Sequence, residues 1–190
     1  FYFSINSLTY LLNSFNLYPF DLDVSPISGG SFVIYFSKER KSKSKILLDK
    51  EKEEINLGVD KLINWKNFSL KVIDHKKKIV QIVSDFNKAK KKVVAYGASA
   101  RSSTLLNFCE LSYKDLKVIA DKAPMKQGLF TPGTSIPIVS PEEALEDNPD
   151  VILLLAWNFK DEIIEELKTK YLWKGKIILP LPYEPIVIDI

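Results

Sequence analysis

Residues 93 to 108, VVAYGASARSSTLLNF, carry the pattern of a buried strand, a tight turn and a helix. The apolar run Val93-Val94-Ala95-Tyr96 suits a strand covered on both faces. Gly97 opens a turn of small residues, and Arg101 to Thr104 begin the helix. Strand, turn and helix in that order form the shape of a phosphate-binding loop. A dinucleotide fold, however, wants G-x-G-x-x-G, and here Gly97 is followed by Ala98, Ser99 and Ala100.

Downstream the same alternation repeats. A helix over 102–110 precedes a strand at 116–120, which ends at Asp121. A long loop rich in proline and glycine leads to a short strand at 136–139, then a helix at 141–146 opened by Ser140-Pro141-Glu142-Glu143. Serine caps, proline takes the first helical position, and the acids lie by the positive end of the helix dipole. The run VILLLA at 151–156 is apolar throughout, as a covered parallel strand must be. A helix at 158–170 and a strand at 176–179 complete the unit. Strands alternating with helices predict an α/β fold, a Rossmann-like doubly wound parallel sheet over 93–190.

Upstream lies the longest periodic segment. Between residues 59 and 92, Trp65, Phe68, Val72, His75, Ile79, Ile82, Phe86 and Ala89 recur at steps of three and four and predict one stripe of a long helix, about 45 Å in length. The only histidine, His75, sits on that stripe, where a packed residue is the ordinary reading and a catalytic one the exception. Before it, residues 38–58 carry a run of mixed charge that reads as a solvated linker or an exposed helix start. The first 37 residues predict a short helix at 7–17, capped by Asn6 or Ser7, with Leu8, Leu11, Leu12 and Phe15 on one face. A strand near 20–24, a turn at Gly29-Gly30 and a strand in SFVIYFS follow. This partial α/β segment is too small for an independent domain and reads as the tail end of a larger sheet.

The whole chain has 190 residues, 46% hydrophobic and 27% charged, which fits a soluble globular protein able to bury a core. A net charge of +3 is too small to point to nucleic acid or an anionic membrane. The single Cys109 excludes an internal disulfide and a cysteine-built zinc site, and it fits a reducing, cytoplasmic setting. No apolar run is long enough for a membrane span, and no signal peptide is recognisable. The chain opens on Phe1, not Met, and so reads as part of something longer.

In a doubly wound sheet, ligands bind beyond the carboxyl ends of the strands. Three segments are expected there. The first comprises Tyr96, Gly97, Ala98, Ser99, Arg101, Ser102, Ser103 and Thr104, with backbone N–H groups, hydroxyls and a guanidinium at a helix start. The second comprises Asp121, Lys126, Gln127 and Gly128; the third is Trp157-Asn158. For loop 97–104 the competing reading is a helix whose serines merely cap it. Asp121 stands near where a dinucleotide fold places the acid that bonds ribose hydroxyls, although a lone aspartate at a strand end also serves turns. No metal site is expected.

Together, VVAYGASARSSTLLNF, ADKAPMKQGLFTPGTSIPI, LLLAWNFKDEI and GKIILPLP resemble the C-terminal domain of S-adenosylmethionine-dependent sugar C-methyltransferases, over about residues 60–182. FYFSINSLTYLL and SPISGGSFVIYF are similar to the end of that family's central methyltransferase domain. The resemblance implies an enzyme that methylates a carbon of a nucleotide-linked keto-deoxysugar. It would have a zinc-binding N-terminal domain, a central domain that holds S-adenosylmethionine, and this part closing over the sugar nucleotide. In that chemistry a base removes a proton beside the keto group and the enolate attacks the sulfonium methyl. The family's Glu-His pair would precede Phe1, so this segment is expected to hold no catalytic residue, to bind no cofactor itself and to be inactive alone. There are departures. Arg101-Ser102 stands where the family has lysine-glycine, while Ser28 and Ser135 replace histidines.

Two other readings compete: a nicotinamide-dependent reductase domain using Asp121 on the ribose, and a non-catalytic scaffold whose long basic helix docks a partner.

Overall fold

Every second residue of the run at 93–96 must face the same side of a sheet, and the structure uses both sides. In the computed structural model, which describes residues 2–26 and 30–190, strand β3 (Val93–Tyr96) buries Val93 and Ala95 against one helical layer and Val94 and Tyr96 against the other. Its neighbour β6 (Val151–Leu154) does the same, with Val151 and Leu153 on one face and Ile152 and Leu154 on the other. The first face is covered by α3 (Leu62–Lys88) through Ile79 and Val83 and by α4 (Ala100–Cys109) through Leu106 and Cys109. The second is covered by α5 (Pro141–Glu146) through Ala144 and by α6 (Lys160–Thr169) through Ile163 and Leu167. This is the doubly wound arrangement that the alternation of elements predicts.

With β4 (Ile119–Ala120), β5 (Ile138–Val139), β7 (Lys176–Leu179) and β8 (Ile186–Asp189), the six strands lie in the order β5-β4-β3-β6-β7-β8. Five run parallel, and β8 returns antiparallel to β7, pairing Leu179 with Ile186 and Lys176 with Asp189. The sheet is therefore mixed where a purely parallel one was expected. The chain moves outward from β3 to β4 and β5, then crosses to β6. That reversal places the switch point between the carboxyl ends of β3 and β6.

The chain divides into two compact units, Phe1–Leu70 and Lys71–Ile190. In the first, β1 (Tyr18–Ser25) and β2 (Ser31–Ser37) form an antiparallel ribbon. Helix α1 (Ile5–Ser14) is capped by Ser4, not by Asn6 or Ser7. The Ser4 hydroxyl accepts from Ser7 N–H, and the Ser7 hydroxyl accepts in turn from Ser4 N–H. Leu11 and Phe15, placed on the expected apolar face, are exposed. Residues 38–58, legible as linker or helix start, contain α2 (Lys45–Leu57), capped by Ser44. The long periodic segment contains α3, which is shorter than the expected 59–92 and leaves out Ala89; its stripe packs only from Val72 onward, while Trp65 and Phe68 stay 54% and 57% exposed. Ser28 and Gly29 lie outside the described residues.

Candidate functional site

The turn after β3 is set by a close approach. Gly97 has φ +99°, and a Cβ there would lie 2.6 Å from the Cβ of Ala156, the residue before Trp157. Glycine is therefore demanded twice, by backbone conformation and by contact. The approach brings the loop after β3 beside the loop after β6, so two of the three expected segments flank the switch point.

Within the first segment, Ser99 and Ser102 form a capping box on α4: the Ser99 hydroxyl accepts from Ser102 N–H and the Ser102 hydroxyl from Ser99 N–H. Ser102 is buried, and the Thr104 hydroxyl donates to Ala100 O at 3.1 Å. These hydroxyls serve the helix, as the capping reading holds. Ser103 is half-buried, its N–H donating to Ser99 O. Left open are the N–H groups of Ala100 and Arg101 and the exposed Arg101 guanidinium, none with a partner among the described residues. Two free donors at a positive helix end beside a free cation can hold an anion. Tyr96 points away from them. It is 4% exposed within the layer of α5 and α6, its hydroxyl has no partner among the described residues, and burial pushes its ionisation well above the usual tyrosine range.

The second segment folds onto the first. Asp121 is 9% exposed, and its carboxylate accepts from Ala98 N–H at 2.8 Å, Ala123 N–H at 2.9 Å and Lys126 Nζ at 3.0 Å. Lys126 also donates to Ala98 O at 2.9 Å, and the Gln127 side chain donates to the Asp121 carbonyl at 3.0 Å. Gly128 N–H donates to Ile138 O. Both polar backbone groups of Ala98 are thus spent on Asp121 and Lys126. That leaves the loop after β3 fewer free groups for S-adenosylmethionine or a dinucleotide. The backbone donor that would approach the ligand and the acid that would take its ribose are bonded to each other.

The third segment opens onto a cavity. Trp157 and Asn158, in the short 3-10 turn before α6, line a cleft of about 540 Å³ with Lys160 and Asp161 on one side. Leu179, Leu181, Pro182, Tyr183, Glu184 and Ile186, from the end of β7 through the start of β8, form the other. Its size is that of a small-ligand site, and aliphatic and aromatic side chains line it beside Asn158, Lys160, Asp161 and Glu184. Trp157 and Asn158, singled out in the sequence, line this cleft; the residues of its opposite wall were not singled out. The signal was present in Pro180-Leu181-Pro182-Tyr183-Glu184-Pro185, which follows a parallel strand at its carboxyl end.

Lys122, one residue past Asp121, pairs instead with Glu166, which holds it against α6. Cys109 is buried, and burial raises its thiol to about 11, so it is inert. Among the described residues no group of acids, cysteine and histidine could hold a metal ion, and no helix is long and apolar enough to cross a membrane.

Residues 26–182 match the family described as the C-methyltransferase C-terminal domain. The chain is 33% identical, over 194 aligned positions, to the C-methyltransferase NovU of Streptomyces niveus. The alignment covers 99% of this chain and 45% of that protein, so the chain spans about half the length of the relative.

Proposed function

The chain belongs to the C-methyltransferase C-terminal domain family, and from that premise we propose that it is the substrate-holding part of an S-adenosylmethionine-dependent methyltransferase acting on a nucleotide-linked keto-deoxysugar in the cytoplasm. The observation that carries the reading is the 540 Å³ cavity beside Trp157 and Asn158. Its apolar wall of Leu179, Leu181 and Ile186 suits the deoxygenated edge of the sugar or the face of a base. The open N–H groups of Ala100 and Arg101, with the Arg101 guanidinium, supply what a diphosphate needs across the switch point. Asp161 and Glu184 make the cavity itself a poor place for that diphosphate. S-adenosylmethionine supplies an electrophilic methyl group in such an enzyme. This chain's part is to orient the acceptor and keep water from it.

The burial of Asp121 and the three hydrogen bonds its carboxylate already accepts, out of about four it can take, weigh against the reductase reading. Calorimetry of the chain against dTDP, UDP, a dTDP-deoxysugar, S-adenosylmethionine and NADH tests the proposal. Heat is expected with the nucleoside diphosphates and not with the two cofactors. Binding of NADH, or silence with every diphosphate, overturns it.

A further inference from the structure

The loop joining β7 to β8, Pro180-Leu181-Pro182-Tyr183-Glu184-Pro185, supplies one wall of the cavity through Leu181 to Glu184. Proline has no backbone N–H, so half of these residues cannot donate to a turn. No backbone–backbone hydrogen bond joins any two of them. Its three prolines restrict φ and the pairing of Leu179 with Ile186 holds its ends, but no backbone hydrogen bond within the loop fixes the position of the segment between them.

Its tethers come from α3. His75 Nε2 lies 2.7 Å from the carbonyl oxygen of Pro180. A carbonyl can only accept, so Nε2 carries the proton and donates. One turn further, Lys78 Nζ pairs with Glu184 at 2.8 Å while also bonding Asp74 at 2.7 Å. Neither His75 nor Lys78 lines the cavity.

We infer that His75 is a positioning residue for this cavity: its imidazole N–H holds the Pro180 carbonyl and so sets the wall formed by Leu181, Pro182 and Tyr183 opposite Trp157. The inference rests on the reading of the cavity as the sugar-nucleotide site. The two tethers are unequal. His75 is half-buried and Pro180 buried, so loss of the imidazole leaves a carbonyl with little water to replace it. Lys78 and Glu184 are 45% and 69% exposed, where an ion pair is screened and contributes little. The only histidine of the chain thereby gains a role without touching the ligand.

The test compares the wild-type chain with His75→Leu, which keeps bulk but no donor, and His75→Gln, which returns an N–H near the Nε2 position. Two quantities are read: heteronuclear NOEs of the Leu181, Tyr183 and Glu184 amides, and affinity for dTDP and UDP. In His75→Leu the loop amides are expected to lose NOE intensity while β6 and β7 keep theirs, and affinity falls about three- to tenfold. His75→Gln restores both, and Lys78→Met changes affinity by less than about twofold. Should His75→Leu fail to fold, His75→Asn, too short to reach the carbonyl, replaces it in the comparison. A loop as rigid in the donor-less variant as in the wild type, with affinity unchanged, overturns the inference. A loop that loosens in a chain whose wild-type form binds neither nucleotide supports the tether and overturns the cavity reading instead.

Discussion

Gly97 shows how much one residue can decide. Its φ of +99° and the 2.6 Å that would separate an added Cβ from Ala156 make alanine there doubly unfavourable. Gly97→Ala is expected to lower stability by about 2 kcal/mol or more in urea denaturation. The double variant Gly97→Ala/Ala156→Gly should regain the part due to the Cβ contact and keep roughly 1 kcal/mol of backbone strain together with the 3.0 Å approach to Ala156 N. Arg101 is the opposite case. With no hydrogen bond or ion pair to lose, Arg101→Ala should leave stability within about 0.5 kcal/mol of wild type. Its affinity for dTDP should nonetheless fall about tenfold if the guanidinium holds the diphosphate. Unchanged affinity would remove Arg101 from the site. Gly97 was legible from the sequence because a turn needs it; Arg101 was singled out because a cation follows a strand and opens a helix. What Asp121 does was not legible, since its spacing from Gly97 fits a ribose ligand and a loop clasp equally well. Only the geometry separates the two.

At the scale of elements, Asp150 ties the start of β6 to the start of β3. Its carboxylate accepts from Lys92 N–H at 2.9 Å and pairs with Lys91 Nζ at 2.9 Å. The Lys92 N–H first, and then the Lys91 ammonium, hold its ionisation below the ordinary aspartate value of 3.8. The ionised form is therefore favoured in the folded state. Its contribution is complete above the ordinary value and disappears as pH falls below it. Asp150→Asn should flatten that part of the acid limb in melting temperatures measured from about pH 6 to about pH 3; a limb parallel to wild type would assign acid sensitivity to other carboxylates. Elements whose own residues dictate them were readable in advance. Val93–Tyr96 is apolar at every position, and Ser140-Pro141-Glu142-Glu143 starts a helix by cap, proline and dipole together. Those that depend on distant partners were not. β8 is a short edge strand with three of its four residues exposed, and only its pairing with β7 makes it one. In α1 the cap lies earlier than expected because Ser4 and Ser7 satisfy each other, a reciprocal bond that a search for one capping residue overlooks.

Over the whole molecule the two units are unequally supported. The unit ending at Leu70 has a buried core of Ile5, Leu22 and Leu47 with Ile34 against it, among the described residues, while Phe32, Val33, Tyr35 and Phe36 of β2 stay exposed. The unit from Lys71 buries two full layers on either side of its sheet. Unfolding should accordingly run in two steps. Far-UV circular dichroism is expected to lose amplitude at lower urea than the red shift of buried Trp173, which belongs to the second unit; coincident transitions would mean that the units stand or fall together. The central claim is that the second unit holds a sugar nucleotide in the cleft beside Trp157. Titrating the 15N-labelled chain with dTDP and following amide and indole shifts tests it most directly. The account predicts shifts at Trp157 to Lys160 and at Leu181, Tyr183, Glu184 and Ile186, with a second group at Ala100 and Arg101. Shifts confined to other surfaces, or none at saturating dTDP, would contradict it.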